Sequence, residues 1–448
     1  MVHTFQAGGL LLAMDVASGA LHLLDDLSDK VVPLYMEYTQ EEILFRLKDS
    51  WPEGEIRSCL SELARLEQEG MLFSPMVEEP LPPDDGIVKA LCLHVAHDCN
   101  LRCGYCFAST GGFHGTRSLM PLEVGKKALD FLVEKSGSRE HLEVDFFGGE
   151  PMMNFPVVEE LVAYGRQLER AHGKYIAFTM TTNCYHLPEG AAGFLNREME
   201  NVVLSLDGRE AVHDAVRPNV AGEGSYRHAL GHAKAIVDGR AEGEYYVRGT
   251  FTNRNLDFAS DVESLFDAGF QHVSVEPVVL EQGHPLALGE EHLSRIDQEY
   301  DRLLEICRER KRRGMPHLFF HFSVDLSGGP CLRKRLSGCG CGREYLAVTP
   351  EGDLYPCHQF VGRKGFLLGN VMEGRVLEGK RDAFLENHVG EKEICQSCWA
   401  KYLCAGGCAA NAQSHSGNIL TPNPLECHML KKRTECALAL AAWDLLEG

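Results

Sequence analysis

The 448-residue chain lacks the features that would place it on a membrane or on nucleic acid. It has no run of 18 apolar residues, so no membrane span is expected. It opens MVHTFQAGG, without the basic stretch and apolar core of a secretion signal, so a cytoplasmic protein is expected. It is short of positive charge. Its 44 Lys and Arg against 65 Asp and Glu leave a formal net charge of −21, which repels both phosphate backbones and anionic lipid. Neither nucleic acid nor a membrane is therefore expected as a partner. There is no long internal repeat and no low-complexity tract. Hydrophobic content of 44 % is ample for a packed interior, and the length predicts two or three domains.

Cysteine is what the chain has in excess. Seventeen are present, ten of them beyond residue 330. In a large chain with no secretion signal, clustered cysteines more often hold metal than pair as disulfides. One cluster is HDCNLRCGYCF at 97–107, with Cys99, Cys103 and Cys106 spaced C-x3-C-x2-C. A second is Cys395-x2-Cys398-x5-Cys404-x3-Cys408, followed by Cys427, with Cys339 and Gly352-x4-Cys357 upstream.

The first 80 residues read as a separate module. GLLLAMDVASGALHLLD gives two strands turning at Ser18-Gly19. A helical stretch follows near 27–47, and Ile56, Cys59, Leu60, Leu63 and Leu66 recur at helical spacing. Hairpin plus short helices is a winged-helix layout. Its acidic run (DDLSD, EYTQEE) argues against a winged helix that binds DNA. The Pro- and acid-rich segment 75–86 marks a boundary, with 81–88 as linker. From residue 89 strands alternate with amphipathic helices: Ala90–Ala96, Val144–Phe147, Ile176–Thr181, Val202–Leu206, Tyr245–Thr252 and Val273–Val279. Alternation predicts parallel strands with helical crossovers, an α/β partial (β/α)6 TIM-type barrel over 89–315. RERKRR at 308–313 reads as a solvated helix end. The region 316–448 loses the rhythm and becomes loop- and cysteine-rich.

Three thiolates at the end of the first barrel strand can hold three irons of a [4Fe–4S] cluster and leave the fourth iron open; zinc, which usually wants four ligands, is the rival reading. CNLRCGYC resembles the signature of the radical S-adenosylmethionine (SAM) superfamily. GGEP at 148–151 resembles the family's segment for the amino group of SAM's methionine, which implies Glu150 as the carboxylate and Gly149 as the close backbone approach. LSLDG at 204–208 resembles the ribose-contacting strand, with Ser205 as the contact. HDAVRP at 213–218 resembles the segment whose arginine, here Arg217, pairs with the methionine carboxylate. Tyr105 would lie against the adenine, SVEP at 274–277 near it, and Asn183 is a further contact. His97 reads as structural. The resemblance implies that one electron from the reduced cluster, supplied by a donor such as flavodoxin or ferredoxin, cleaves SAM to a 5′-deoxyadenosyl radical.

The C-terminal cysteines resemble the SPASM domain, which holds two auxiliary [4Fe–4S] clusters. The resemblance assigns Cys339, Cys357 and Cys408 to the first, and Cys395, Cys398, Cys404 and Cys427 to the second, three clusters in all with that of Cys99, Cys103 and Cys106. A fourth ligand for the first auxiliary cluster is left open between Cys331, Cys341 and a sulfur of the substrate. Cys59, Cys92, Cys184, Cys307 and Cys436 read as packing residues. The N-terminal module resembles the RiPP recognition element, which adds the leader of a ribosomal precursor peptide as an extra strand. HTFQAGGLLLAMDVASGALHLLDD and SGCGCGREYLAVTPEGDLYPCHQFVG resemble the SCIFF maturases, which link a cysteine sulfur to an acceptor carbon in a cysteine-rich peptide. Cys341 departs from that resemblance, which expects a small residue there. The runner-up is an anaerobic sulfatase maturase, whose pattern expects an aspartate where His358 stands. A zinc-stabilised peptide-binding protein is the non-enzymatic alternative.

Overall fold

The computed structural model describes residues 1–76, 85–240, 243–326, 332–377 and 379–447; Cys331 and residues 81–84 of the expected linker lie outside them. The chain opens with three antiparallel strands, β1 (Val2–Ala7), β2 (Leu10–Asp15) and β3 (Leu21–Leu24), then three helices, α1 (Asp26–Tyr35), α2 (Gln40–Leu47) and α3 (Glu53–Gln68). β1 was not foreseen. It turns into β2 through Gly8-Gly9, both with positive φ (55° and 78°), the two-residue hairpin geometry that glycine adopts without strain. The helical stretch expected at 27–47 is two helices, the second started by a Thr39–Glu42 capping box.

The module is less separate than its linker suggests. Alternation along β2 sends Ala13 into the module's own core with Leu27, Val31, Ile56 and Leu60, while Leu10 and Leu12 join the core of the main body. The carbonyl of Gly8 accepts from Trp443 Nε1 at 3.0 Å and from Arg308 at 3.3 Å. Arg308 lies 3.7 Å over the Trp443 ring, and Arg310 lies over Phe266. Two cations of the run expected to be solvated are thus packed, Arg308 where the module docks and Arg310 within the body, because the guanidinium plane stacks on aromatic faces.

The body is built on β4 (Ala90–His97), the short β5 (Ser118–Leu119), α4 (Leu122–Lys135), β6 (His141–Gly148), α5 (Phe155–His172), β7 (Tyr175–Thr182), α6 (Ala191–Glu198), β8 (Asn201–Ser205), α7 (Glu210–Val216), α8 (Tyr226–Asp238), β9 (Glu244–Phe251), α9 (Phe258–Asp267), β10 (His272–Pro277) and α10 (Leu293–Arg312). β4, β6, β7, β8, β9 and β10 pair in parallel, in chain order, which is five successive crossovers stepping the same way round. Among the described residues the ring is not closed. The outer edge of β10 takes β11 (Leu318–Phe319), so the parallel run continues past residue 315. The outer edge of β4 takes β12 (Tyr345–Val348), also in parallel, which leads into the antiparallel β13 (Asp353–Tyr355), β14 (Gly369–Asn370) and β15 (Arg375–Val376). All eight residues of β4 are buried because it lies mid-sheet between β6 and β12. A 24-residue helix, Pro424–Glu447, was not foreseen; it packs along α10 and against β1. Among the described residues no helix is long and apolar enough to cross a membrane.

Candidate active site

The cysteine loop leaves the C-terminal end of β4, the end at which such folds carry chemistry. Backbone bonds stitch it to a segment more than a hundred residues away: Arg102 N donates to the Pro218 carbonyl and Gly104 N to that of Val216, both at 2.8 Å, and Leu101 bridges Asn219. Arg217 is thereby set beside the cysteines. The tip of β6 closes the other side, Gly149 N donating to Ala96 O (2.7 Å) and Glu150 N to Asp98 O (2.9 Å). A Cβ on Gly149 would stand 2.1 Å from the Asp98 carbonyl oxygen, so the close approach that this glycine permits is to the cysteine loop itself.

The three thiols are half-buried and feel one another. Burial pushes Cys99 up to about 12, with Glu150, Cys103 and Cys106 adding to the rise. Burial pushes Cys103 up to about 11, against the opposing charge of Arg217. Such a set ionises only when a cationic centre joins it, which is what an iron cluster supplies. Zinc would need its thiolates about 2.3 Å from a single point. Among the described residues no three His, Cys, Asp or Glu side chains converge on one ion-sized point.

Arg217 is buried, and its chain is half-used. One terminal nitrogen donates to Tyr105 Oη at 3.0 Å and lies 3.4 Å from Asp207. Its Nε is buried without a partner among the described residues. A buried, orphaned guanidinium N–H costs free energy unless an acceptor arrives, so this edge fits the carboxylate of SAM. Tyr105 in turn donates to Asp207 Oδ2 at 2.6 Å, and Asp207 Oδ1 accepts from Thr250 N at 3.1 Å. Asp207 was missed in the sequence, although it stands inside LSLDG, two residues after Ser205.

Glu150 is buried and already takes three donors: Met152 N (3.1 Å), Thr182 Oγ1 (2.8 Å) and Asn183 N (2.7 Å). It ties the tips of β6 and β7 together, and its fourth lone-pair position remains for an ammonium. Burial raises its pKa in spite of these donors. Asn183 reaches back to the cysteine loop, donating to Asn100 Oδ1 at 2.8 Å with Cys99 Sγ at 3.6 Å. Ser205 ends β8 and is half-buried. Glu276 of SVEP pairs with Arg248. His97, as expected, is structural, with Nε2 3.0 Å from His94 Nδ1.

The C-terminal cysteines fall into two groups. Cys395, Cys398, Cys404 and Cys427 lie close enough for their charges to act on one another, as do Cys339, Cys357 and Cys408. Cys341 lies in the second group. Between the groups lies the buried Lys392, its Nζ donating to the Gly406 carbonyl at 2.6 Å and facing Cys395, Cys404, Cys408 and Cys427. The other free cysteines pack as expected: Cys92, Cys184, Cys307 and Cys436 are fully buried, and Cys59 is half-buried.

Residues 85–230 match the family described as 4Fe-4S single cluster domain, and residues 339–399 match SPASM, an iron–sulfur cluster-binding domain. Mycofactocin maturase MftC of Mycobacterium ulcerans is 29 % identical over 362 residues, spanning 77 % of this chain and 89 % of that one. Among solved structures, anSMEcpe with bound AdoMet superposes with a TM-score of 0.66 at 21 % identity, covering 80 % of this chain and 95 % of that one. SuiB of Streptococcus suis bound to precursor peptide SuiA superposes at 0.54 and 14 % identity, covering 95 % and 98 %.

Proposed function

We propose that this chain, a radical SAM/SPASM enzyme of the peptide-modifying maturase family, installs thioether links between a cysteine sulfur and an acceptor-residue carbon in a ribosomally made, cysteine-rich precursor peptide. In this reading residues 1–80 form a winged-helix RiPP recognition element, 89–315 the radical SAM partial barrel and 316–448 the SPASM domain.

The observation that carries the peptide reading is a groove of 960 Å³ between β3 and α3. Among the described residues β3 pairs with β2 alone, so its outer edge offers N–H and C=O groups for one more strand. Leu23, Trp51, Leu63 and Leu66 give the groove an apolar floor, Asp25, Asp26, Glu55 and Glu62 give it acid, and among the described residues no Lys or Arg lines it. A leader strand with alternating apolar and basic side chains suits that lining. The share of this chain matched by SuiB, a protein solved with a precursor peptide, also supports the reading.

When bound, the cluster and SAM supply the 5′-deoxyadenosyl radical that abstracts hydrogen. The chain's own residues do the rest. Arg217 offers its free Nε edge to the methionine carboxylate, and Glu150 its remaining lone pair to the ammonium. Tyr105 is fixed by Asp207 and Arg217 where an adenine would be placed. His358 favours thioether over formylglycine formation. It lies 4.9 Å from Phe147 and 5.7 Å from Phe107 of the cysteine loop, ring to ring, and burial lowers its pKa to about 4, so a neutral imidazole stands where the sulfatase pattern expects a carboxylate.

Mass spectrometry of a cysteine-rich precursor incubated with enzyme, SAM and reductant tests the reading. A loss of two hydrogens per link, at cysteine, is expected; a formylglycine product or an unmodified peptide overturns it. Glu55→Lys with Glu62→Lys should weaken precursor binding about tenfold through like-charge contact while leaving peptide-free SAM cleavage unchanged.

A further inference from the structure

We propose that Cys341 is the fourth thiolate of the first auxiliary site, with Cys339, Cys357 and Cys408, and that this site is closed to the sulfur of the substrate. The proposal rests on the radical SAM/SPASM reading of the chain and goes beyond it by assigning a ligand.

Placement of Cys341 follows from the backbone around it. It lies in S-G-C-G-C-G, where Gly338, Gly340 and Gly342 all have positive φ (69°, 75° and 72°). The loop therefore coils tightly enough to present Cys339 and Cys341 to one place although they are only two residues apart. Gly342 N donates to the carbonyl of Pro356 at 2.9 Å, which seats Cys341 directly against Cys357. A Cβ on Gly342 would stand 2.4 Å from Phe384, a core side chain, so this coil has no room for another residue there. Cys341 and Cys357 are buried in one cluster with Cys408 packed against it, and Cys339 lies near enough for its charge to act on Cys341. Cys408, at the start of the helix Ala409–Ser416, lies within charge range of both Cys341 and Cys357.

Side-chain chemistry points the same way. Cys341 and Cys357 are equally buried, 6 % and 7 % exposed, and share one apolar cluster with Phe360, Phe384, Ala409 and Ile419. A packing cysteine has one neighbour of its kind by accident; Cys341 has three, each of them a thiol that the SPASM pattern already assigns to one cluster. A thiolate already held beside the other three is a better ligand than any sulfur arriving from outside, because it needs no association entropy. Four protein thiolates leave no coordination position for the peptide cysteine, whose sulfur must then be oriented by protein and peptide groups.

The test uses full-length protein reconstituted anaerobically, without precursor, and reads the reduced auxiliary clusters by EPR and Mössbauer spectroscopy. With SAM added to fill the open position of the Cys99-loop cluster, the wild-type auxiliary signals should not change on adding β-mercaptoethanol or a free cysteine-containing peptide. Cys341→Ser should shift the spectrum of one auxiliary cluster and make it respond to the added thiol, or should lower iron from roughly twelve to roughly eight atoms per chain. Cys331→Ser should leave both spectrum and iron count at wild-type values. A wild-type spectrum that shifts with thiol, a Cys341→Ser spectrum superimposable on wild type, or a shift produced by Cys331→Ser instead would each overturn the assignment. None of these readouts involves peptide modification. A closed cluster in an enzyme that makes no thioether leaves this inference standing and removes the functional one.

Discussion

The loop after β4 gathers three thiols and sets an arginine beside them; the SPASM region gathers four and sets a lysine behind them. At the first site, Cys99, Cys103 and Cys106 face a guanidinium whose Nε has no partner among the described residues. At the second, Cys341, Cys357 and Cys408 share an apolar cluster, and the exposed Cys339 lies within charge range of it. The missing thiol and the orphaned donor belong together. A site one ligand short, with a buried hydrogen-bond donor beside it, is built for an exchangeable ligand that brings its own oxygen and nitrogen. A site complete in sulfur is built to hold its cluster unchanged.

The largest effect that would sharpen this contrast comes from removing the three-thiol set. Cys99, Cys103 and Cys106 replaced together by alanine should reduce 5′-deoxyadenosine formation to background, with iron falling from roughly twelve to roughly eight atoms per chain and the auxiliary absorbance retained. Continued formation of 5′-deoxyadenosine in that variant would break the comparison at its root.

Next comes the arginine. Arg217→Lys keeps the charge but loses the fork and its Nε, and should weaken SAM binding about tenfold to a hundredfold, as expected for loss of a charge-assisted hydrogen bond of 1.5–3 kcal/mol. Equilibrium dialysis measures this, and iron content should not move. Unaltered SAM affinity would mean that the orphaned Nε serves something other than the cofactor.

Much of this contrast was legible in the sequence, for identifiable reasons. The six barrel strands were found to within a few residues because buried parallel strands read as apolar runs that stop at turn residues, as ALCLHVAH stops before Asp98. The cysteine spacings announced both iron–sulfur regions. What escaped was long-range. Nothing local says that Tyr345–Val348 pairs with β4, or that Cys341 is a neighbour of Cys357 and Cys408. β1 escaped although Gly8-Gly9 between apolar residues is a hairpin signal, because the Ser18-Gly19 turn was read in its place. Arg308 escaped because a charge run gives no hint that one of its members stacks on Trp443. That docking also bears on the modular reading: deleting residues 1–80 would uncover Leu304 and Trp443, so point changes in the groove test recognition more cleanly than truncation does.

A smaller effect is expected from the lysine behind the four-thiol set. Lys392→Met leaves the buried carbonyl of Gly406 unsatisfied, at a cost of about 1–3 kcal/mol. It also removes a positive charge facing Cys408 of one auxiliary group and Cys395, Cys404 and Cys427 of the other. Net charge is one of the terms that set cluster potential, so both auxiliary potentials should become more negative in a spectroelectrochemical titration while that of the Cys99 loop stays put. A shift confined to the loop cluster would place the lysine's influence at the wrong site.

The smallest effect concerns what supports Arg217. His213, fully buried one turn before it, accepts from the backbone N–H of Asp207 at Nδ1 (3.3 Å) and faces Ser225 Oγ at Nε2 (2.9 Å), and Ser225 donates to the Arg217 carbonyl at 2.6 Å. The network assigns the proton to Nε2 and keeps the ring neutral, since a second proton at Nδ1 would oppose the Asp207 N–H. Burial, and then the charge of Arg217, lower its pKa to about 2. An unfolded chain takes up that proton near 6.5, so below this value the unfolded state binds more protons than the folded one. The contribution is present in full above pH 6.5 and is lost as pH falls, by about 1.4 kcal/mol per unit once the unfolded histidine is charged. His213→Asn retains an acceptor for Asp207 but does not titrate. The stability gap between wild type and variant, measured by urea unfolding under anaerobic conditions, should therefore narrow by about 1.4 kcal/mol between pH 7.5 and 5.5. A gap that stays constant over that range would show that His213 does not couple the Arg217 segment to protons, and that the three-thiol site is no more acid-sensitive than the site with four.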